Sequence, residues 1–202
     1  MSLLYFSFAI TILFLAVILH ECAHGWAAYK LGDSTAKNLG RLTLNPIKHV
    51  DMVGTLLLPA MLLIMHSPVM FGWAKPVPVN FLNLRHPKQD MIWVGLAGPA
   101  VNVFLALLAS LFIRFHFSPL GDQILAMAIQ INLVLAIFNL VPIPPLDGSR
   151  LVMGILPNRY AYVYSRMEPY GIVIVFLLLY LGLFEKYIWP IIDNISLLLG
   201  VR

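Results

Sequence analysis

Charged residues and cysteine are both scarce in this sequence of 202 residues. Only 11% of the residues are charged, compared with about 25% in a typical soluble domain, and 60% are hydrophobic. The formal net charge of +4 comes without a basic patch interleaved with aromatic residues, which argues against a nucleic-acid partner. The single cysteine excludes an internal disulfide. We therefore predict an all-α polytopic membrane protein whose surroundings are the lipid bilayer.

The first nineteen residues lack charge altogether. A signal peptide needs a basic region before its apolar core and a small-residue cleavage site, and neither is present here. We therefore expect a retained first span over residues 3–29. Basic residues follow this span but do not precede it, so the positive-inside rule places the N-terminus outside and the 30–50 loop in the cytoplasm.

Three later apolar stretches are candidate spans: residues 91–113, 123–146 and 169–184. The tail 187–201 is interrupted by Pro190 and Asp193, so it is either a poor span or an interfacial helix. The stretch 52–65 has only fourteen residues, with basic residues on both sides. Length and charge favour a re-entrant segment there, broken near its midpoint by Pro59 and returning to the cytoplasmic side.

The first span contains His20-Glu21-Cys22-Ala23-His24, which fits the pattern H-E-x-x-H. Residues four apart lie one above the other on a helix, so both imidazoles can bind one ion. Glu21 borders that face and can act as a general base towards water. Ionisable side chains in lipid need a partner, which favours a metal site over a chance match. Zinc suits imidazole and carboxylate ligands and leaves one position open for water.

A two-histidine site needs a third protein ligand, and we predict Asp147 for that position. Asp147 ends the third span in FNLVPIPPLDG, where three prolines halt the helix and Gly148 lets the chain turn. Irregular backbone at membrane depth is tolerated only where it is buried in protein or lines a wet cavity. The alternative is a loop aspartate that caps a cytoplasmic helix.

The depth of these residues agrees with a shared site. His20 lies about 15 Å below the charged end of its helix, which Lys30 marks. The third span runs towards the cytoplasm, so Asp147 approaches from the same side. We expect a multi-pass protein of the cell membrane whose active site lies in the cytoplasmic half of the bilayer.

HECAH on the first span and NLVPIPPLDG on a later one resemble the site-2 protease family of intramembrane zinc metalloproteases, in its compact bacterial form without a PDZ domain. AGPAVN at 97–102 looks like the GPxxN motif of that family, and GRLTLNPIKHVD and FGWAKPVPVN resemble further segments of its members. The resemblance extends from residue 14 to about residue 153. It implies that His20, His24 and Asp147 bind one zinc ion per chain and that Glu21 activates the water.

The resemblance implies an intramembrane metalloprotease core over 1–155, followed by transmembrane or interfacial helices over 156–202. The expected core has three helices and a membrane-embedded re-entrant or β-hairpin insertion, with one or two further helices at the C-terminus. Asn102 and Asn139 correspond to embedded asparagines of the family and would contact substrate backbone or the oxyanion, although packing between helices explains them equally well.

The expected reaction is hydrolysis of a peptide bond in or near a transmembrane segment of a membrane protein, with a single-span substrate. Such a helix must unwind first, and an exposed edge could then hold it by strand addition. The residues proposed for this edge are Phe71, Gly72, Trp73, Ala74, Lys75, Pro76 and Val77.

Two other functions remain open from the sequence. A metal-binding or metal-transport protein usually has repeated halves with broken helices, and none is evident here. A membrane zinc protease of another type would take a glutamate from a later helix, for which Glu168 is the only candidate.

Overall fold

The computed structural model describes residues 3–65, 72 and 74–201. Over this part of the chain the α-helices are α1 (Leu3–Leu31), α2 (Thr35–Asn38), α3 (Leu58–Ile64), α4 (Pro87–Ile113), α5 (Pro119–Asn139), α6 (Gly148–Ile155), α7 (Asn158–Ser165), α8 (Glu168–Tyr180) and α9 (Trp189–Leu198). Turns of 3-10 helix cover Pro46–His49 and Phe81–Asn83, and turns of π-helix cover Met52–Leu57 and Phe184–Ile188. The described residues form no β-strand, so the predicted all-α class is confirmed.

Among the described residues, three helices are long and apolar enough to cross a membrane: α1, α4 and α5, with 29, 27 and 21 residues. They confirm the prediction of a multi-pass membrane protein. The predicted fourth span takes a different form, because α7 and α8 are separated by a bend of 66° and only together reach spanning length. At 1.5 Å per residue, α8 alone would measure about 20 Å, less than the hydrocarbon thickness of about 30 Å.

The helix α5 ends at Asn139, whereas the apolar run predicted a span continuing to residue 146. Prolines at 142, 144 and 145 explain the early end, because each lacks an N–H and disfavours helical backbone in the residue before it. The chain passes through an irregular loop and resumes as α6. A Cβ at Gly148 would collide with the Leu140 carbonyl, so this return of the chain requires glycine.

The helix α4 is central, because it packs against α1, α5 and α6. Small residues on α4 allow close approach, as is common between membrane helices. The largest apolar cluster joins Ala106, Ala109 and Ile113 of α4 to Ile129 and Leu133 of α5 and to Ile192 of α9. The C-terminal helix α9 therefore packs into the same hydrophobic interior as α4 and α5.

Residues 52–64 form one continuous helical stretch. It starts where Asp51 accepts hydrogen bonds from the N–H groups of Val53 and Gly54, at 3.0 and 2.7 Å. The expected break at Pro59 does not occur: the backbone stays helical, and the stretch changes from π-helix to α-helix between Leu57 and Leu58, just before this proline. The N–H of Lys75 donates to the His49 carbonyl at 2.9 Å, so the chain returns to its starting point between these residues.

The insertion expected as a β-hairpin has no strand among its described residues, 72 and 74–80. Pro76 and Pro78 remove alternate N–H donors, so this piece of chain cannot support a regular ladder. Both prolines favour extended backbone in the residue before them. Phe71 and Trp73 lie outside the described residues. We call residues 74–80 the crossing segment.

Candidate metal centre

Two histidine side chains of α1 face the interior of the helix bundle. His20 and His24 lie one helical turn apart and are 6% and 8% exposed. Their Nε2 atoms are 3.0 Å apart. The helical repeat explains this arrangement, because residues four apart share one face.

The loop after α5 brings Asp147 to the same point. Its Oδ2 atom lies 3.0 Å from His20 Nε2 and 3.2 Å from His24 Nε2. The structure therefore brings together the three side chains that the sequence predicted as metal ligands, with one ligand atom from each within 4.8 Å of the others. Glu168, the alternative third ligand, pairs instead with Arg150 at 2.9 Å.

Hydrogen bonds at the other ring nitrogens determine which nitrogen of each histidine can bind a metal. The Nδ1 atom of His24 lies 2.6 Å from the Val94 carbonyl, which can only accept. The Nδ1 atom of His20 lies 2.5 Å from Asn102 Oδ1, while the Asn102 amide nitrogen donates to Asn132 at 2.9 Å. Both neutral rings therefore carry their proton on Nδ1 and direct the lone pair of Nε2 to Asp147.

Three acceptor atoms that converge without a proton between them repel one another unless a cation lies among them. Their separations of 3.0, 3.0 and 3.2 Å resemble the edges of a zinc tetrahedron, about 3.3 Å for bonds of about 2.0 Å. Two imidazoles and one carboxylate are also a known catalytic zinc set, with the fourth position open. These residues fit a zinc ion.

Space for an ion depends on Gly98 of α4. A Cβ atom at this position would lie 2.5 Å from His20 Nε2 and closer still to His24 Nε2. No side chain can occupy position 98 without displacing both rings. This glycine belongs to the GPxxN motif at 97–102, but the sequence alone did not predict its place at the metal face.

The predicted general base, Glu21, is half-buried beside the crossing segment. Its Oε2 atom accepts the N–H of Val77 at 2.8 Å. The same segment is held by the Lys75 N–H, which donates to the His49 carbonyl, and by Arg41, whose guanidinium donates to the carbonyl of Lys75 at 3.0 Å. These contacts fix extended backbone next to the carboxylate.

Asp33, just beyond α1, anchors the far end of the crossing segment. Its carboxylate accepts the Asn80 N–H at 2.7 Å and the Asn83 side chain at 3.0 Å, in addition to hydrogen bonds from Thr35. Burial raises the pKa of Asp33, but the hydrogen bonds from Thr35, Asn80 and Asn83 outweigh it and hold the pKa below its usual value. The carboxylate is thus ionised at neutral pH and holds the segment as an anion.

The remaining predicted residues have the following places. Asn102 is fully buried and bonds to His20, and Asn139 donates to the carbonyl of Leu135 in its own helix at 2.9 Å. Of the proposed substrate edge, Val77 donates its N–H to Glu21 and Gly72 is exposed. Asn132 was not among the predicted residues, and its sequence context on α5 offers no motif that could have singled it out.

Comparison with known protein families gives a match between residues 120–182 and the profile described as "Peptidase family M50". This region contains α5, the loop with Asp147 and α8. Comparison with solved structures gives no match.

Several curated proteins are similar over most of the chain. The protein named "Putative zinc metalloprotease YwhC" from Bacillus subtilis (strain 168) is 40% identical over 192 residues, covering 90% of this chain and 84% of that protein. Rip2 of Mycolicibacterium smegmatis, which carries the same description, is 27% identical over 88% of this chain and 68% of its own. "Zinc metalloprotease MJ0392" of Methanocaldococcus jannaschii is 29% identical over 76% of this chain and 36% of its own.

Proposed function

This chain belongs to peptidase family M50, and on that premise we propose that it hydrolyses a peptide bond in or next to a transmembrane segment of a membrane-protein substrate. We take the substrate to be a single-span protein and the reaction to be regulated intramembrane proteolysis. Family membership identifies the chain as a metalloprotease, and its three apolar helices indicate a multi-pass membrane protein. The narrower proposal is supported by one observation above all, the convergence of His20, His24 and Asp147 between those helices.

In this proposal the protein binds one zinc ion per chain, through His20, His24 and Asp147. Bound zinc supplies a Lewis acid that polarises the scissile carbonyl and lowers the pKa of water towards about 7. Glu21 accepts the proton of the attacking water and passes it to the leaving amine. The Val77 N–H donates to Oε2 of Glu21 and so holds the carboxylate in place. We assign the proton transfer to the other oxygen, Oε1.

The substrate has to present an extended backbone, because a helix engages its own carbonyls in hydrogen bonds. We propose that residues 71–77 hold the unwound chain by adding it as a strand. The position of residues 74–77 beside Glu21 supports this, since a chain aligned with them would pass close to the general base.

Replacing Glu21 by glutamine tests the function. We expect cleavage to fall by about 10²- to 10⁴-fold, because an amide cannot act as a general base. Zinc content should remain at one ion per chain, since Glu21 is not among the three converging ligands. Comparative membrane proteomics of cells with wild type or Glu21→Gln should then reveal a single-span protein that accumulates uncleaved, and metal analysis of the purified variant gives the zinc content.

The exposed Glu185→Gln makes the same chemical change away from the site and serves as the control, with unchanged cleavage and zinc. Undiminished cleavage in Glu21→Gln would remove this residue from the mechanism. A metal transporter would behave differently again, because it should keep its metal flux when Glu21 is replaced.

We propose that the active site lies in the cytoplasmic half of the cell membrane and that the 52–65 stretch enters the membrane and returns. The hydrogen bond between Lys75 and His49 supports a return to the starting side. Lys48→Cys and Lys75→Cys, on a Cys22→Ser background, should react with an impermeant thiol reagent from the same side. Labelling of one from outside and the other only from inside would refute the re-entrant path.

A further inference from the structure

A buried chain of amide groups runs from α5 through α4 to the metal face of α1. The side-chain nitrogen of Asn132 donates to the carbonyl of Ala128 at 2.9 Å, and its Oδ1 accepts from the amide nitrogen of Asn102 at 2.9 Å. Asn102 Oδ1 then meets Nδ1 of His20 at 2.5 Å. Asn102 and Asn132 are 0% and 4% exposed, so water does not compete for these groups.

The backbone fixes the direction of this chain of hydrogen bonds. A carbonyl such as that of Ala128 can only accept, so Asn132 has to place its nitrogen there and its oxygen towards Asn102. Asn102 in turn has to place its nitrogen towards Asn132 and its oxygen towards His20. With an oxygen at Nδ1, the neutral imidazole of His20 carries its proton on Nδ1 and leaves Nε2 unprotonated.

The opposite orientation would disable the ligand. If the amide of Asn102 turned over, its NH₂ group would face Nδ1 of His20, and two donors would oppose each other. The proton of the neutral ring would then belong on Nε2, the atom that faces Asp147 and His24. A protonated Nε2 cannot bind a metal.

We propose that Asn132 and Asn102 are positioning residues that hold His20 in the tautomer required for metal binding, an inference that rests on the zinc site of the proposed function. Neither asparagine touches the reacting atoms in this assignment. Asn102 acts on His20 directly, and Asn132 acts through Asn102. The buried amide of Asn102 is thereby assigned to the metal ligand, in place of the substrate or oxyanion contact that the family resemblance implied.

The test is zinc affinity of the purified full-length protein, measured by competition with a chelator. Asn132→Leu keeps the approximate volume but removes the nearer of the two acceptors that orient Asn102, at 2.9 Å, and leaves only the longer contact of 3.5 Å to the Ala16 carbonyl. We expect its zinc affinity to fall by about 10- to 100-fold, as is typical when a hydrogen-bond partner of a metal ligand is lost. Ser110→Ala, which changes another buried polar side chain of α4, is the matched control and should bind zinc as wild type does.

A variant at position 102 distinguishes loss of the Asn102 orientation from a packing defect at position 132. Asn102→Asp replaces the amide by a carboxylate, whose two oxygens both accept, so it needs no partner to orient it towards His20. We expect Asn102→Asp to retain zinc, and Asn132→Leu to cost no further affinity in that background, because it also removes the Asn132 oxygen that would oppose the carboxylate. A packing defect would instead lower affinity equally in both backgrounds, and that result would overturn the proposal.

Asn132→Asp covers the case in which Asn132→Leu does not fold, because it retains the acceptor for Asn102. Its zinc affinity should stay near that of wild type, and a loss of tenfold or more would overturn the proposal. Unchanged affinity in folded Asn132→Leu would overturn the positioning role alone. A wild-type protein without zinc would overturn the proposed zinc site and this inference together.

Discussion

Asp147→Ala should lose zinc and proteolysis together. The substitution leaves only two protein ligands, and catalytic zinc sites use three. We expect zinc affinity to fall by more than the roughly 10- to 100-fold loss typical of a residue that only supports a ligand. Zinc per chain after equilibration with graded chelator concentrations measures the first loss, and accumulation of the uncleaved membrane protein measures the second.

Glu168→Ala is the informative control for Asp147→Ala, because Glu168 is the other acid that could complete the site. Its carboxylate bonds to Arg150 at 2.9 Å and is well exposed, so its removal should leave zinc binding unchanged. Zinc retention in Asp147→Ala together with zinc loss in Glu168→Ala would reverse the assignment.

The membrane-spanning helices could be predicted from the sequence because length and apolar character are local properties of the chain. The apolar runs beginning at residues 3 and 91 lie within α1 and α4. The third run was predicted too long, because the leucine, valine and isoleucine residues beside the prolines of the loop keep the stretch apolar. The hydrogen-bonding defect of proline, rather than its polarity, ends α5 at Asn139.

The proposed metal ligands could also be predicted from the sequence. His20 and His24 are four residues apart, and residues four apart in a helix lie on the same face. Asp147 required a further argument, that broken backbone at membrane depth must have a function or a protein environment. The roles of Gly98 and Asn132 near the metal face could not be predicted in this way. Their importance depends on how α1, α4 and α5 are rotated against one another, and glycine and asparagine in membrane helices are usually explained by packing.

The hydrogen-bond partners of the crossing segment could not be predicted from the sequence either. Its alternating prolines disfavour a helix, but they do not reveal where its remaining N–H groups bond. The partners of those groups, His49, Glu21 and Asp33, lie far away in sequence. A segment interpreted only as a docking edge therefore also holds the side chain of Glu21, the proposed general base.

Gly98→Ala should also abolish zinc binding, although it adds only one methyl group. The new Cβ would lie 2.5 Å from His20 Nε2 and closer to His24 Nε2, so both rings would have to leave the positions that face Asp147. We expect zinc affinity to fall by more than about 100-fold, beyond the range for loss of a supporting residue, and cleavage to be lost with it. Chelator competition and the accumulation of uncleaved substrate are again the measurements.

The same substitution should not weaken the helix, because alanine is about 1 kcal/mol more favourable than glycine within a helix. A loss of zinc from Gly98→Ala, with thermal stability near that of wild type when both are measured in excess chelator, would therefore locate the effect at the metal face. Ala100→Val adds more volume to α4 at an exposed position and is the matched control, with zinc and cleavage unchanged. Wild-type zinc affinity in Gly98→Ala would show that the histidines do not hold the metal at this face of α4, and the three-ligand site would have to be abandoned.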